Sequence, residues 1–344
     1  MAKGTSLSEL VSQSPRRPIL THLNADTSWL ISFPRAPITD EKAESFSKSS
    51  SRSYYHVIVD PWLDGEIVLA YRWIMVLAHS VKASFSTMAD VRGLVKEIEH
   101  AAGSMSGSDN GEVDAAFVSH YLDDHCRKES LVQIDPSVPV VTVHGAATMV
   151  QSWKHFQNIE TMPDLDVGHP ETLWQRPSSS YLPSYLRVGR VPSGGPYPHL
   201  HWATIIAYTA SPPLGSSDSR PETILYSPHG IYSDRVSELS WATKHSNVLA
   251  MLHGLDPAWS PAAANLGVEN GHALAKKIRP KFWIPTHDEH LEYQGLIGWF
   301  QTKYKKTFGD AVGSATGDGS GEAEGEERGP MCREVGNGES LVLA

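Results

Sequence analysis

The chain has 344 residues, of which 40% are hydrophobic and 20% are charged, and its formal net charge is −10. The hydrophobic fraction suffices for a large core and excludes a wholly disordered chain, and the acidic balance argues against a nucleic-acid partner. Two cysteines cannot form a disulfide framework, so we expect a reducing, cytoplasmic location. The sequence shows neither a secretory signal nor an apolar stretch long enough to span a bilayer, so no membrane partner is expected.

The predicted elements alternate between short strands and helices, which indicates a layered α/β structure. Residues 1–18 are expected to form a flexible N-terminal arm, which precedes a domain over residues 19–308. Strands are predicted at Trp29–Phe33, Tyr55–Val59, Ala115–Val118, Val138–Val143, His201–Tyr208, Thr223–Ser227, Asn247–His253 and Lys281–Pro285. Helices are predicted at Ala89–Ala102, Ala146–Phe156, Asn270–Ile278 and Leu291–Lys305.

The last part of the chain differs from the rest in composition. Residues 309–330 consist mainly of glycine, serine and acidic residues, which bury too little apolar surface to offset the entropy of ordering. We therefore predict a disordered segment there. Residues 331–344 regain strand character at Ser340–Leu343 and are expected to return to a sheet edge.

Polar side chains follow the predicted strands at the point where several of them end. The chain contains 17 histidines, and histidine is the commonest metal ligand in proteins. The residues at strand ends are Asp60, His120, His229 and His287. In α/β layers the carboxyl ends of strands are where functional sites are built. This placement therefore predicts a site at one edge of the sheets.

The sharpest motif is His120-x-x-x-Asp124-His125, which directly follows a predicted strand. Histidine nitrogens and a carboxylate close together in the chain are donors that zinc prefers. An alternative is that Asp124 and the histidines only cap a short helix. The motif by itself leaves both interpretations open.

Taken together, the motifs resemble the metallo-β-lactamase superfamily, and within it the L-ascorbate-6-phosphate lactonase-like branch and its fungal relatives. The similarity extends from about Leu20 to Phe300. The resemblance implies an αββα four-layer sandwich that holds one or two metal ions at the sheet edge. The segments that carry it are Asp60-Pro61-Trp62-Leu63, His120–His125, Asn265-Leu266-Gly267, Arg279–Trp283 and Thr286-His287-Asp288-Glu289.

The superfamily's His-x-His-x-Asp-His motif is only partly present. Its first histidine matches His120 and its final pair matches Asp124 and His125, but Leu122 replaces the second histidine. The later histidine ligand matches His201, with His199 as the weaker candidate. The usual bridging aspartate aligns with His229, and the last ligand matches His287.

The resemblance thus implies a metal site formed from His120, Asp124, His125, His201 and His287. Because Leu122 cannot bind a metal, we predict one ion rather than two, held most tightly by Asp124, His125 and His287. Zinc is the expected ion, with manganese and iron as alternatives. Asp124 and His229 are the predicted catalytic residues, His120 and His229 being auxiliary ligands or proton carriers. Asp60 and Asp288 are expected to support the ligands.

The predicted function is a metal-dependent hydrolase that acts through a metal-bound hydroxide on a small-molecule ester, lactone, thioester or phosphodiester. A role in fungal secondary metabolism is compatible with the resemblance. The alternative is a non-catalytic or metal-depleted binding protein on the same scaffold, because Leu122 is what decay of a two-metal centre would produce. A weaker third candidate is an iron-dependent oxidoreductase. The sequence does not predict the substrate or the oligomeric state.

Overall fold

The computed structural model describes residues 6–35, 52–104, 109–165, 179–192, 199–209, 220–232, 239, 244–260, 262–313 and 329–344. The helices are α1 Leu7–Gln13, α2 Met88–Ala101, α3 Lys128–Leu131, α4 His144–Ser152, α5 Gly267–Ile278 and α6 Phe308–Gly313. The strands are β1 Ile19–His22, β2 Trp29–Pro34, β3 Tyr54–Val59, β4 Ile67–Leu69, β5 Met75–Ala78, β6 Ala115–Val118, β7 Val140–Thr142, β8 Ile159–Thr161, β9 Leu186–Val191, β10 Ala203–Tyr208, β11 Glu222–Ser227, β12 Asn247–His253, β13 Ala258–Ser260, β14 Ala262–Asn265, β15 Phe282–Ile284, β16 Glu292–Gln294, β17 Thr302–Lys303, β18 Met331–Cys332 and β19 Ser340–Val342.

Two large mixed sheets form the body of the molecule. The first has seven strands in the order β19-β1-β2-β3-β6-β7-β8, in which β3, β6, β7 and β8 are parallel neighbours. The second has six strands in the order β18-β15-β12-β11-β10-β9, in which β11, β12 and β15 are parallel neighbours. Strands β3 and β6 are buried along their whole length, as expected for strands covered on both faces.

The two sheets pack face to face, and helices cover their outer faces. Trp29 and Phe117 of the first sheet share a core with Ile206 and Tyr226 of the second. On the outside, α2 and α4 pack on the first sheet, and α5 packs on the second. Helix α2 buries the side of its surface that carries Val91, Leu94, Val95 and Ile98. The predicted αββα sandwich of the metallo-β-lactamase type is confirmed.

Two small sheets lie beside the sandwich. One has the order β14-β13-β17 and the other the order β16-β5-β4. We call the second one the flap. Its β4–β5 hairpin follows the strand end at Asp60, and its third strand, β16, follows His287. The flap therefore joins two chain segments that both leave the predicted site.

The prediction of a closing helix at Leu291–Lys305 is wrong. This stretch contains β16, a short 3₁₀ helix at Gly298–Phe300 and β17. Gly295 has a left-handed backbone with a φ of +89°, and a Cβ there would lie 2.7 Å from the Ile74 carbonyl oxygen. This close approach lets β16 pair with β5, and the strand pairing overrides the helical spacing of the apolar residues.

The N-terminal segment contains a helix that the sequence analysis did not predict. Helix α1 lies within the stretch expected to be a flexible arm, and it buries Val11. A capping box starts it, because Ser6 and Glu9 each accept a hydrogen bond from the other's backbone N–H. Ser340–Val342 pairs with β1 at the edge of the first sheet. Residues 314–328, most of the segment predicted to be disordered, lie outside the described residues. None of the described helices is long and apolar enough to cross a membrane.

Candidate metal centre

The carboxyl ends of parallel strands in both sheets meet at one edge of the sandwich. Strand β3 leads into Asp60, β6 into Ser119 and His120, β11 into His229 by way of Pro228, and β15 into His287 by way of Thr286. The loop after β6 adds Asp124 and His125. Because both sheets end here, four histidines and several aspartates occupy one buried volume.

His125 is fully buried, and its Nδ1 lies 2.7 Å from an Asp60 carboxylate oxygen. The same carboxylate accepts the Ser119 backbone N–H at 2.7 Å and the Tyr226 hydroxyl at 2.9 Å. A carboxylate only accepts, so Nδ1 of His125 carries the proton and points its other nitrogen, Nε2, into the site. Asp60 thus orients the His125 imidazole, and its support of a metal ligand stays a prediction.

His229 is held in the same way by a neutral amide. Its Nδ1 lies 2.8 Å from Oδ1 of Asn265 and 3.0 Å from the carbonyl oxygen of Ala264. Both partners are acceptors when the Asn265 amide is oriented in this way, so Nδ1 donates and Nε2 is left with a lone pair. That Nε2 lies 3.0 Å from Nε2 of His125.

His287 shows the same arrangement for a third time. Its Nδ1 lies 3.0 and 2.9 Å from the two carboxylate oxygens of Asp26. Its Nε2 lies 3.8 Å from Oδ2 of Asp124, and Nε2 of His125 is 3.7 Å from that same oxygen. His287 has a left-handed φ of +62°, and Asp60 one of +45°. Non-glycine residues adopt this backbone rarely, and such strain is concentrated at functional sites.

Asp124, His125 and His287 therefore form one group of potential ligands, and His229 forms a second group with His120 and His125. Asp124, His125 and His287 have ligand atoms within 4.8 Å of one another, and Nε2 of His229 is 3.0 Å from that of His125. Two nitrogens at this separation, each about 2.0–2.1 Å from one ion, subtend an angle of roughly 95° at it. Metal-bound histidines characteristically donate their other N–H to a carboxylate or carbonyl oxygen. The residues fit a divalent metal ion.

The charges around the cluster give the two facing imidazoles different pKa values. Burial lowers the pKa of His125, but the charges of Asp124 and Asp60 outweigh it and raise the pKa to about 9. Burial, together with His287 and His125, holds the pKa of His229 well below its usual range. In the metal-free protein at neutral pH, Nε2 of His125 therefore donates its proton to Nε2 of His229. A metal ion would replace that proton.

His120 lies close enough to share an ion with His125 and His229, but its hydrogen bonds argue against this. Its Nε2 is 2.9 Å from the carbonyl oxygen of Leu200, which can only accept, and its Nδ1 is 2.7 Å from Oγ of Ser119. The ring also stacks on Trp202, with centroids 4.1 Å apart and planes 9° apart. Both nitrogens of His120 therefore have hydrogen-bond partners outside the cluster, whereas in the other three histidines only Nδ1 does.

The other positions aligned with the first-metal ligands do not belong to the cluster either, within the described residues. His201 is buried, and its Nδ1 lies 3.1 Å from the carbonyl oxygen of His229. Within the described part of the chain, His201 belongs to neither group of potential ligands. His199 is exposed, and Leu122 is partly buried. The structure thus brings Asp124 together with His125 and His287, places His229 against His125, and leaves His120 and His201 bonded to backbone oxygens.

Asp288 does not support His287 as predicted. Its carboxylate accepts backbone N–H groups of Leu255 and Asp256 at 2.8–2.9 Å, and burial raises its pKa to about 7. The left-handed backbone at His287 turns the imidazole towards Asp26 instead. The sequence analysis gave Asp26 and Asn265 no role at the metal. Asp26 lies 261 residues away from His287, so local spacing carried no signal for this pairing.

No family model matches the chain, and no curated protein matches it. Several solved structures resemble it. An isothiocyanate hydrolase from Delia radicum gut bacteria superposes with a TM-score of 0.52 at 11% identity, covering 94% of this chain and 98% of its own. A protein described as a possible metal-dependent hydrolase, from Veillonella parvula, superposes with a TM-score of 0.51 at 10% identity, covering 95% and 99%. At such identities the similarity is one of fold, and it agrees with the sandwich described above.

Proposed function

We propose that this protein is a metal-dependent hydrolase with a single divalent ion held by Asp124, His125 and His287, and that His229, which lies against His125, carries protons. One observation carries the proposal: His125 and His287 are buried with Nδ1 fixed as a donor, and their ligand atoms and that of Asp124 lie within 4.8 Å of one another. Neutral imidazoles oriented in this way are the form that binds metal. Zinc is the expected ion, and manganese and iron are alternatives.

When bound, the ion would supply a Lewis acid that polarises a carbonyl or phosphoryl oxygen and makes water more acidic. The protein's own groups would position the substrate and carry protons. Asp124 is only partly buried, so its carboxylate is the member of the cluster that a substrate reaches. We assign proton transfer to this carboxylate, and to Nε2 of His229, whose lowered pKa keeps it a neutral acceptor.

The charges near the site favour an uncharged substrate. Asp26, Asp60 and Asp124 surround the histidines, so a bound divalent ion is largely neutralised by carboxylates. Lys303, a nearby cation, donates to the carbonyl oxygens of His287 and Glu289 and is not directed at a substrate. We therefore propose that the substrate is an uncharged ester, lactone or thioester. An anionic phosphodiester is less favoured by these charges.

The first experiment is elemental analysis of the protein purified without chelator. We expect close to one ion per chain in the wild type, loss of that ion in the double variant Asp124→Ala/His287→Ala, and retention in His120→Gln. The glutamine keeps an N–H donor for the Leu200 carbonyl, so this control is matched in burial. Full metal retention by the double variant, or loss of the ion in His120→Gln, would contradict the proposed ligand set.

The second experiment separates the hydrolase from the alternative, a binding protein on the same scaffold. That alternative is favoured by Leu122, which leaves the first-metal half of the site without its usual ligand. A panel of chromogenic esters, lactones, thioesters and phosphodiesters is tested on the wild type and on Asp124→Ala. Turnover that disappears in the variant supports the hydrolase. A metal-loaded protein that turns over none of the panel, but is stabilised by one of its members, supports the binding protein.

A further inference from the structure

The flap carries an exposed apolar surface that the metal centre does not explain. We call this surface the apolar flap; it is formed by Tyr71, Trp73, Leu296, Ile297, Trp299 and Phe300. Trp299 is 83% exposed and Phe300 is 73% exposed. Soluble monomers rarely leave contiguous apolar patches of several such side chains in water, and larger patches mark interaction sites.

The six side chains belong to one patch because backbone hydrogen bonds join the two segments that carry them. The Leu296 N–H donates to the carbonyl oxygen of Trp73, and the Ile297 N–H donates to that of Ile74, both at 2.9 Å. The rings of Tyr71 and Trp73 stack, with centroids 6.2 Å apart and planes 11° apart. The patch is therefore continuous across the tip of the flap.

The flap is fixed to the body, so its exposed face is not needed to hold it in place. Its inner side has a core of its own, which contains Trp62, Ile67 and Leu291. Glu289 accepts hydrogen bonds from Nδ1 of His79 at 2.5 Å and from the Val81 backbone N–H at 3.0 Å. An ordered apolar face on a well-anchored sheet is what a docking surface requires.

The size of the apolar flap suits a protein partner. Aromatic and large aliphatic side chains present roughly 150–250 Å² each, so six of them at these exposures offer on the order of 700 Å². A standard interface buries about 800 Å² on each partner. The high exposure of Trp299 places it on a projecting part of the surface, whereas small-molecule sites are concave.

Strand β4 offers a reason for the partner to be a second copy of this chain. It is the edge strand of the flap, and in the described part of the chain only β5 pairs with it. Val68 and Leu69, on this strand, are 37% and 44% exposed. An open apolar edge is a template for another strand, and two identical edges can pair antiparallel about a twofold axis.

The charges around the flap disfavour a lipid surface as the occupant. Asp64 and Glu292 are exposed near the patch, Glu66 is paired with Arg72 at 2.6 Å, and the whole chain has a net charge of −10. Anionic membrane surfaces attract basic segments and repel acidic ones. We propose that the apolar flap and the β4 edge form a homodimer interface, in which two chains pair across a twofold axis.

The oligomeric state of the full-length chain tests this proposal by sedimentation velocity and light scattering over a range of concentrations. We expect a dimer for the wild type. The double variant Trp73→Glu/Trp299→Glu, whose positions are both highly exposed, should weaken dimerisation at least about a hundredfold, since buried interface aromatics dominate binding. Met331→Glu, which changes an exposed apolar residue on β18, should leave the dimer unchanged.

A crosslinking variant tests the register of the two chains. In antiparallel pairing centred on β4, the two copies of Val68 face each other, so Val68→Cys should form a disulfide-linked dimer under mild oxidation and Met331→Cys should not. A wild-type protein that stays monomeric at about 100 µM, a dimer that survives Trp73→Glu/Trp299→Glu, or a monomer that binds anionic vesicles through these tryptophans would each overturn the proposal. The metal content plays no part in these results.

Discussion

Strand β3 carries a buried histidine near its start and a buried aspartate at its end, and the clusters around them differ in one respect. His56 uses both ring nitrogens inside the protein: Nδ1 lies 2.9 Å from Oγ of Ser32 and Nε2 lies 2.8 Å from a Glu99 carboxylate oxygen. Beyond the end of the strand, His125 uses only Nδ1, for Asp60, and its Nε2 faces Nε2 of His229.

The carboxylates show the same contrast. Glu99 also accepts the backbone N–H groups of Ser53 and Tyr54 and the hydroxyl of Ser104. Burial raises its pKa, but the hydrogen bonds and charge of His56, together with Ser104 and Ser53, outweigh burial and lower it. Both clusters are buried histidine–carboxylate pairs. They differ because Nε2 of His125 faces other potential metal ligands, His229 and Asp124, whereas both nitrogens of His56 are bound to Ser32 and Glu99.

The largest expected effect is on stability, at the His56 cluster. Glu99→Ala would leave two backbone N–H groups and one imidazole without their buried partner, so we expect a loss of about 3–5 kcal/mol in the free energy of unfolding. Urea denaturation measures it. Glu97→Ala, on the exposed side of the same helix, should stay within about 0.5 kcal/mol of the wild type. Equal effects of the two substitutions would remove the structural role assigned to Glu99.

The next effect is on metal affinity, where the same substitution is made in both clusters. Four-ligand zinc sites bind with about 10–16 kcal/mol, so one ligand accounts for roughly 3 kcal/mol, or more than 100-fold in affinity. We expect this loss for His125→Gln and no loss for His56→Gln. Competition with a chromophoric chelator gives both values, and circular dichroism shows whether each variant is folded. Equal metal affinities in the two variants would contradict the assignment of His125, and not His56, as a metal ligand.

A smaller loss is expected when an acceptor behind a ligand is weakened. Asp26→Asn keeps one oxygen for Nδ1 of His287 but removes the negative charge, and such substitutions cost roughly 10–100-fold in metal affinity. Asp288→Asn is the matched control, since Asp288 binds the amides of Leu255 and Asp256 rather than the imidazole. An equal loss in both variants would mean that the whole segment around His287 acts as one unit, and that Asp26 has no special role.

The smallest expected effect, counted per pH unit, is the dependence of stability and metal affinity on pH. The folded pKa of His125, about 9, lies above the unfolded value of about 6.5. The stability that this shift gives the metal-free protein is therefore fully present below about pH 6.5 and is lost as the pH rises towards 9. Metal binding displaces the same proton, so the affinity should rise about tenfold per unit over that interval. Chelator competition and thermal melts from pH 6.5 to 9 check the two opposite trends.

The layers of the fold and the edge that holds the site could be predicted from the sequence, because apolar strands ending in polar residues are a local pattern. The same holds for Asp124 and His125, which are neighbours in the chain. Leu291–Lys305 shows the limit of such patterns: its spacing suits a helix, but Gly295 and the partner strand β5 decide the outcome. Strand pairing between distant segments is not written in local spacing.

The atoms that hold each histidine could not be predicted in this way. Asp26 and His287 are 261 residues apart, and whether His120 offers a nitrogen depends on where the Leu200 carbonyl lies. His120 fits the expected motif, but both of its ring nitrogens have hydrogen-bond partners outside the cluster, whereas His229 departs from the motif and presents its Nε2 to that of His125. Residue type and order identify the candidate ligands. Which of them can bind a metal depends on the hydrogen bonds that each makes in three dimensions.

The left-handed backbones of Asp60 and His287 have a consequence for how this protein would change under selection. Glycine adopts that conformation without strain, so replacing His287 by glycine would relieve backbone strain while it removes an imidazole from the cluster. The same substitution would leave the buried carboxylate of Asp26 without its imidazole partner, and Asp60→Gly would do the same to His125, Ser119 and Tyr226. The strained backbone therefore persists because the hydrogen bonds of these two side chains hold it in place.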